Sequence, residues 1–190
     1  MSVRPQGFLE DQFIGLARSK VALRDVLPKE EHRAIRRGFV LVTCGDMNHI
    51  MDILNHLVSW LETDRIHLLA RNGGACNLDF RHPENQRTPA CGSLALEISE
   101  SLQIKRVRYV YLLGHWPCGH SRLHRLNMSD TIRALIRAKD ALRISLPDIF
   151  VGTLFHYYSC AGKRRHTYYL HRESMLRLWR NDTRRYFAEI

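Results

Sequence analysis

Apolar residues recur at helical spacing over residues 8 to 26, among them Phe13, Leu16, Val21 and Leu23, and Pro28 stops the pattern. Phe39-Val-Leu-Val-Thr43 is a β-branched and aromatic run that reads as a buried strand. After Asp46 the apolar positions Ile50, Ile53, Leu54, Leu57, Val58 and Leu61 return to helical spacing. Residues 65 to 70 form a second strand ending in the turn Arg71-Asn72-Gly73-Gly74. A helix is expected from Ser93, as N-cap, to Leu102, and a third strand from Val107 to Leu113. Residues 129 to 143 read as another helix, with Ser129 or Asp130 as cap, and Pro147 then breaks the chain. Residues 148 to 158 and 166 to 170 pair around the turn Cys160-Ala-Gly-Lys163, and a last helix runs from about Glu173 to Phe187.

Strand and helix thus alternate through most of the chain. The fold class expected is α/β, with a parallel central sheet, flanking helices and an antiparallel strand extension. With no internal repeat and no Pro/Ser-rich linker, residues 1 to 190 read as a single domain. Residues 1 to 30 form an N-terminal helical arm and residues 171 to 190 a basic C-terminal helix.

The chain has 190 residues, 45% of them hydrophobic and 25% charged, enough to bury a core without disulfide staples. No apolar stretch approaches the ~18 residues of a membrane span, so no membrane partner is expected. The opening Met-Ser-Val-Arg-Pro-Gln lacks the apolar stretch of a signal peptide, so a cytoplasmic location is the expectation. Lysine and arginine number 29 against 19 acidic residues, for a net charge of +10. From Lys163 to the end, eight basic residues face three acidic ones. That bias is most often a solvated face; nucleic acid is the less favoured partner, because no aromatic stacking pattern interleaves the basic residues.

Five cysteines, at 44, 76, 91, 118 and 160, argue against a disulfide framework in a cytosolic chain. Cys44-Gly-Asp46 directly follows the 39–43 strand, and His115-Trp-Pro-Cys118 directly follows the 107–113 strand. Open α/β sheets place ligands at such strand ends. If the two strands are neighbours, two thiolates and one imidazole converge with a fourth position left open, the ligand count of a catalytic zinc site. A buried Cys118 beside a hydrogen-bonded His115 is the alternative that the spacing alone leaves open. Cys76, Cys91 and Cys160 read as core or surface thiols, and Trp60 and Trp179 as packing residues. Trp116 is a candidate pocket wall. His49, His120 and His124 lie near the motifs, where an imaginable proton-shuttle role competes with ordinary surface or capping roles.

These motifs resemble those of the β-class carbonic anhydrases, whose markers are Cys-x-Asp-x-Arg after the first strand and His-x-x-Cys after the third. Cys44-Gly-Asp46 matches the first at Cys and Asp, and Gly114-His115-Trp-Pro-Cys118-Gly119 matches the second. Arg71-Asn-Gly-Gly74 resembles the family's Arg-Asn-Ala-Gly turn, and Ser93 to Glu97 followed by Val107 to His115 resembles its approach to the second motif. The resemblance implies a β-carbonic-anhydrase-like fold and a zinc ion (Zn2+) held by Cys44, His115 and Cys118. It implies a lyase, carbonate dehydratase, that hydrates CO2 reversibly to bicarbonate by zinc-bound hydroxide, with Asp46 as the catalytic carboxylate. It further implies a homodimer or higher homo-oligomer, with residues 8 to 26 as the arm that reaches across.

One position departs from the family: Asn48 stands where the family has an Arg that pairs with the Asp. Asn offers no cationic fork. Either another cation such as Arg71 or Arg122 holds Asp46, or Asp46 itself becomes a fourth metal ligand and closes the site. Two alternatives therefore accompany the leading reading. One is a catalytically silent zinc-binding homologue with an interaction or nucleic-acid-binding role, and the other a hydrolase of COS or CS2.

Overall fold

In the computed structural model the described residues are 6–25, 35, 37–45, 50–83, 85, 90–159 and 165–182. The strands are β1 (Leu23–Arg24), β2 (Phe39–Cys44), β3 (Ile66–Arg71), β4 (Tyr109–Trp116), β5 (Phe150–Tyr158) and β6 (Arg165–Leu170). They form one six-stranded sheet in the order β1-β6-β5-β4-β2-β3. The four strands β5, β4, β2 and β3 run parallel, while β6 is antiparallel to both β5 and β1. The α/β class with an antiparallel extension is therefore the architecture of the chain.

The helices are α1 (Gln6–Ser19), α2 (Ile50–Leu61), α3 (Ala90–Lys105), α4 (Gly119–Leu123), α5 (Met128–Ser145) and α6 (Arg172–Asp182), with a 3-10 turn at Gly74–Leu78. Parallel strands covered on both faces need apolar residues at successive positions, which is why β2 reads Phe-Val-Leu-Val and is buried throughout. Alternation then sorts the side chains between two cores. Val40, Val42, Val110, Leu112, Val151 and Phe155 join the larger core with α1, α3, α5 and α6. Phe39, Leu41, Tyr111, Leu113 and Leu154 face Ile53, Leu57 and Leu61 of α2. Trp179 packs at the margin of the larger core and Trp60 at that of the smaller one.

Several boundaries differ from the sequence expectation, each for a local reason. The first helix ends at Ser19 rather than near residue 26, because Val21 adopts φ 57. The Ala22 N–H then reaches the Ala17 carbonyl at 2.8 Å and the Val21 N–H that of Arg18 at 2.9 Å, a Schellman closure. Leu23 consequently belongs to β1, where it pairs with Leu170. Helix α3 begins at Ala90, so Ser93 is not its cap. Helix α5 is capped by Asn127, one residue before the helix, in a reciprocal capping box with Asp130. The C-terminal helix is described from Arg172 to Asp182, and the expected turn at 160–163 lies outside the described residues. No described helix is long and apolar enough to cross a membrane.

Candidate metal centre

Strands β2 and β4 are adjacent and parallel, with Val40, Leu41 and Val42 opposite Val110, Tyr111 and Leu112. Their carboxyl ends therefore meet at one edge of the sheet, and Cys44 is the last residue of β2. His115 lies inside β4 rather than beyond it, because pairing with β5 continues through Trp116, which lies opposite Tyr157. The Trp116–Pro117 peptide bond is cis, and Cys118 follows as the N-cap of α4. Cys118 Sγ accepts the Ser121 backbone N–H at 3.5 Å. Trp116 alternates away from His115 and packs into the larger core.

Cys44, His115 and Cys118 are all buried, and their candidate ligand atoms lie within 4.8 Å of one another. The two sulfurs are 3.9 Å apart. Two thiolates at ~2.3 Å from a tetrahedral zinc stand about 3.8 Å apart, so the sulfur pair already has the spacing such an ion requires. His115 Nε2 is buried with no hydrogen-bond partner, an arrangement that costs roughly 1–3 kcal/mol unless something occupies that nitrogen. The Cys118 thiol is held well below the usual thiol range. The hydrogen bond with Cys44 is the main cause; the His115 imidazole and the Ser121 N–H add to it against the opposing cost of burial. A thiol poised to lose its proton suits metal ligation. Spacing, burial, an orphaned imidazole nitrogen and soft donors together fit a zinc-type ion.

The 3-10 turn holds Cys44 in place. Gly74 has φ +50, and a Cβ there would stand 2.3 Å from the Cys44 backbone nitrogen and 2.6 Å from the Thr43 carbonyl oxygen. Only glycine permits this approach in the left-handed region. Below it, Asp79 is fully buried and accepts Arg137 Nε at 2.8 Å and Nη2 at 2.7 Å on Oδ2, with the Arg81 N–H at 3.1 Å on Oδ1. Cys76 lies in the same turn, its thiol 3.7 Å from the Thr131 carbonyl and pushed up to about 12, chiefly by burial and secondarily by Cys118. Cys91 donates to the Leu78 carbonyl at 3.2 Å. These two thiols are structural, whereas Cys160 lies outside the described residues.

Asp46, Asn48 and His49 also lie outside the described residues. Of the two cations considered for Asp46, Arg71 is engaged with α3, donating to Ser93 Oγ at 3.1 Å and lying 3.5 Å from Glu97. Arg122 is exposed. His120 and His124 join His82 in a cluster of rings, with centroids 4.6 to 5.6 Å apart. The His82 and His120 planes are stacked within 10°, so one ion cannot lie in both ring planes. Sequence reasoning missed His156, which lies directly opposite His115 in the parallel register. It is buried, and its Nδ1 is 3.0 Å from Thr167 Oγ1. Only the strand pairing reveals it, since 41 residues separate the two histidines.

No protein-family model and no curated protein matches the chain. Solved structures do. The wild-type β-carbonic anhydrase CafD of the filamentous fungus Aspergillus fumigatus is similar at 14% identity and a TM-score of 0.47, covering 78% of this chain and 99% of its own. The carbonic anhydrase from Streptococcus mutans is similar at 14% identity and a TM-score of 0.38, covering 87% of this chain and 99% of its own. The chemistry of the centre rests on this chain's own residues.

Proposed function

We propose that the chain is a zinc-dependent carbonic anhydrase that interconverts CO2 and bicarbonate. The observation that carries the reading is the buried Cys44–His115–Cys118 cluster at the carboxyl edge of the parallel sheet. Cys44, His115 and Cys118 would hold the ion, leaving one position open. When bound, zinc supplies a Lewis acid that brings the acidity of a water into the neutral range. The chain's own part is to orient and to exclude. The 3-10 turn fixes Cys44, the Ser121 N–H fixes Cys118, and the β4–β5 register fixes His115. Asp46, two residues beyond Cys44, is the carboxylate proposed to hold the reacting water or, unrestrained by an Arg at position 48, to take the fourth position itself. A homodimer or higher homo-oligomer is proposed with this reading.

Stopped-flow CO2 hydration by the zinc-loaded protein between about pH 6.5 and 9 tests it, a window bracketing the ~7 of zinc-activated water. A rate already present at neutral pH means Asp46 stands off the metal. A rate that appears only on the alkaline side means Asp46 must first leave it. Silence across the window with zinc bound contradicts the proposed activity. Cys118→Ser is expected to lower zinc retention at least tenfold, on the order of what a lost ligand or its support costs.

A further inference from the structure

The opposite edge of the sheet carries a cleft with a different chemistry. It is about 400 Å3 and is lined by Arg37, Phe39, Asp64, Arg65, Ile66, His67, Lys105 and Val107. This volume lies within the ~300–1,000 Å3 typical of small-ligand sites. Because β2, β3 and β4 are parallel, the residues entering them share one edge, far from the carboxyl ends where Cys44 and His115 sit. Each entry is basic: Arg37 before β2, Arg65 before β3, Lys105 at the end of α3 before β4. Among the described residues no carboxylate lies within ion-pair distance of these three side chains. By contrast, in the larger 700 Å3 cleft beside α1, Arg18 pairs with Asp25 and Asp11 accepts the Tyr157 hydroxyl.

The backbone fixes where these three exposed side chains begin. Gly38 has φ +102, and a Cβ there would stand 2.6 Å from the Arg65 carbonyl oxygen. The Phe39 N–H donates to that same oxygen at 3.0 Å. Only a glycine lets the chain entering β2 lie this close to Arg65, and Arg37, one residue earlier, lines the same cleft. Lys105 is fixed by the end of its helix, where Arg106 has φ 53 and the Val107 N–H closes on the Leu102 carbonyl at 3.1 Å. Three cations against one carboxylate, Asp64, leave the cleft net positive, and a polyanion relieves the repulsion among them. Arginine forks match phosphate oxygens in pairs, and the half-buried Ile66 and Val107 offer apolar surface that a bare inorganic ion would leave unused.

We propose that this cleft is a binding site for a small organic phosphate, held by Arg37, Arg65 and Lys105 with its organic part against Ile66 and Val107. The size of the cleft, about 400 Å3, favours a nucleotide-sized ligand over a nucleic-acid strand, which needs an extended track. The site is independent of the metal centre and of its proposed activity.

Calorimetric titration of the full zinc-loaded chain with ATP, with inorganic pyrophosphate and with a single-stranded oligonucleotide tests it at low and high salt. ATP is expected to bind more tightly than pyrophosphate and to weaken as salt rises. Arg65→Gln and Lys105→Gln should each weaken ATP roughly tenfold, as loss of a charge-assisted contact does. Asp64→Asn removes the acid from the cleft wall and should tighten ATP binding, a change that misfolding cannot mimic. Arg133→Gln, on α5 and outside the cleft, should leave binding unchanged. No ATP binding at about 1 mM, ATP binding indifferent to these cleft substitutions, pyrophosphate binding as tight as ATP, or preference for the oligonucleotide would each overturn the proposal.

Discussion

Arg137→Leu isolates the support beneath the metal centre. It leaves Asp79 fully buried with its Oδ2 stripped of two contacts, at 2.8 and 2.7 Å, while Oδ1 keeps the Arg81 N–H. Breaking a fully buried ion pair costs about 3–5 kcal/mol. Here the Arg137 side chain is 37% exposed, so water already screens part of the attraction. The expected loss is therefore about 2–3 kcal/mol, which in a chain of this size lowers Tm by roughly 5–10 °C. Urea denaturation followed by tryptophan fluorescence measures it. Adding Asp79→Asn to Arg137→Leu should cost little more, because the amide removes the stranded charge. Since Asp79 anchors the turn that presses Gly74 on Cys44, zinc affinity should fall as well. A loss within about 0.5 kcal/mol, the scatter of surface substitutions, would refute the assignment of Arg137 as the counter-charge of a buried carboxylate.

Three further outcomes follow. Val21→Gly should stabilise the chain by about 1 kcal/mol, because it relieves a β-branched residue in the left-handed region while keeping the Schellman closure; destabilisation in thermal melts would contradict that. In the metal-free protein the Cys76 thiol has its folded value raised from 9.0 to about 12. Its contribution to stability is thus complete below about 9 and is lost as pH rises toward 12. Cys76→Ala should flatten the alkaline decline in urea midpoints relative to the parent chain, and equal slopes would argue against a buried neutral thiol. Alkylation of the native metal-free protein near neutral pH should spare Cys76 and label it only after unfolding, as mass spectrometry would show.

Much of this architecture is legible in the order of residues. The runs at β2, β4 and β5 announce themselves because parallel strands buried on both faces are mostly apolar at successive positions. Helix α2 is equally plain, since Ile53, Leu57 and Leu61 recur at helical spacing and are the positions buried against the sheet. Three of the residues at the centre, Cys44, His115 and Cys118, stand out by type and by their place at strand ends. What stays hidden depends on partners distant in sequence or on backbone dihedrals. Nothing local marks Val21 as a helix terminator, because a β-branched residue is a poor candidate for positive φ. The two-residue strand β1 exists only because Leu170 lies opposite Leu23. The Asp79–Arg137 pair spans 58 residues, and His156 meets His115 only through the β4–β5 register. The Asn127 cap is legible in retrospect, as Asn followed three residues later by Asp in place of the usual Glu or Gln.

Two thiolates and one imidazole of this chain are proposed to hold a zinc ion with room for one more ligand. X-ray absorption at the zinc edge of the protein loaded with one equivalent measures this directly. Two sulfur scatterers at about 2.3 Å and two light scatterers at about 2.0–2.1 Å are expected, one of the latter the His115 imidazole, with loss of one sulfur in Cys44→Ser. A shell of light atoms alone, or a spectrum unchanged by Cys44→Ser and Cys118→Ser, would contradict it.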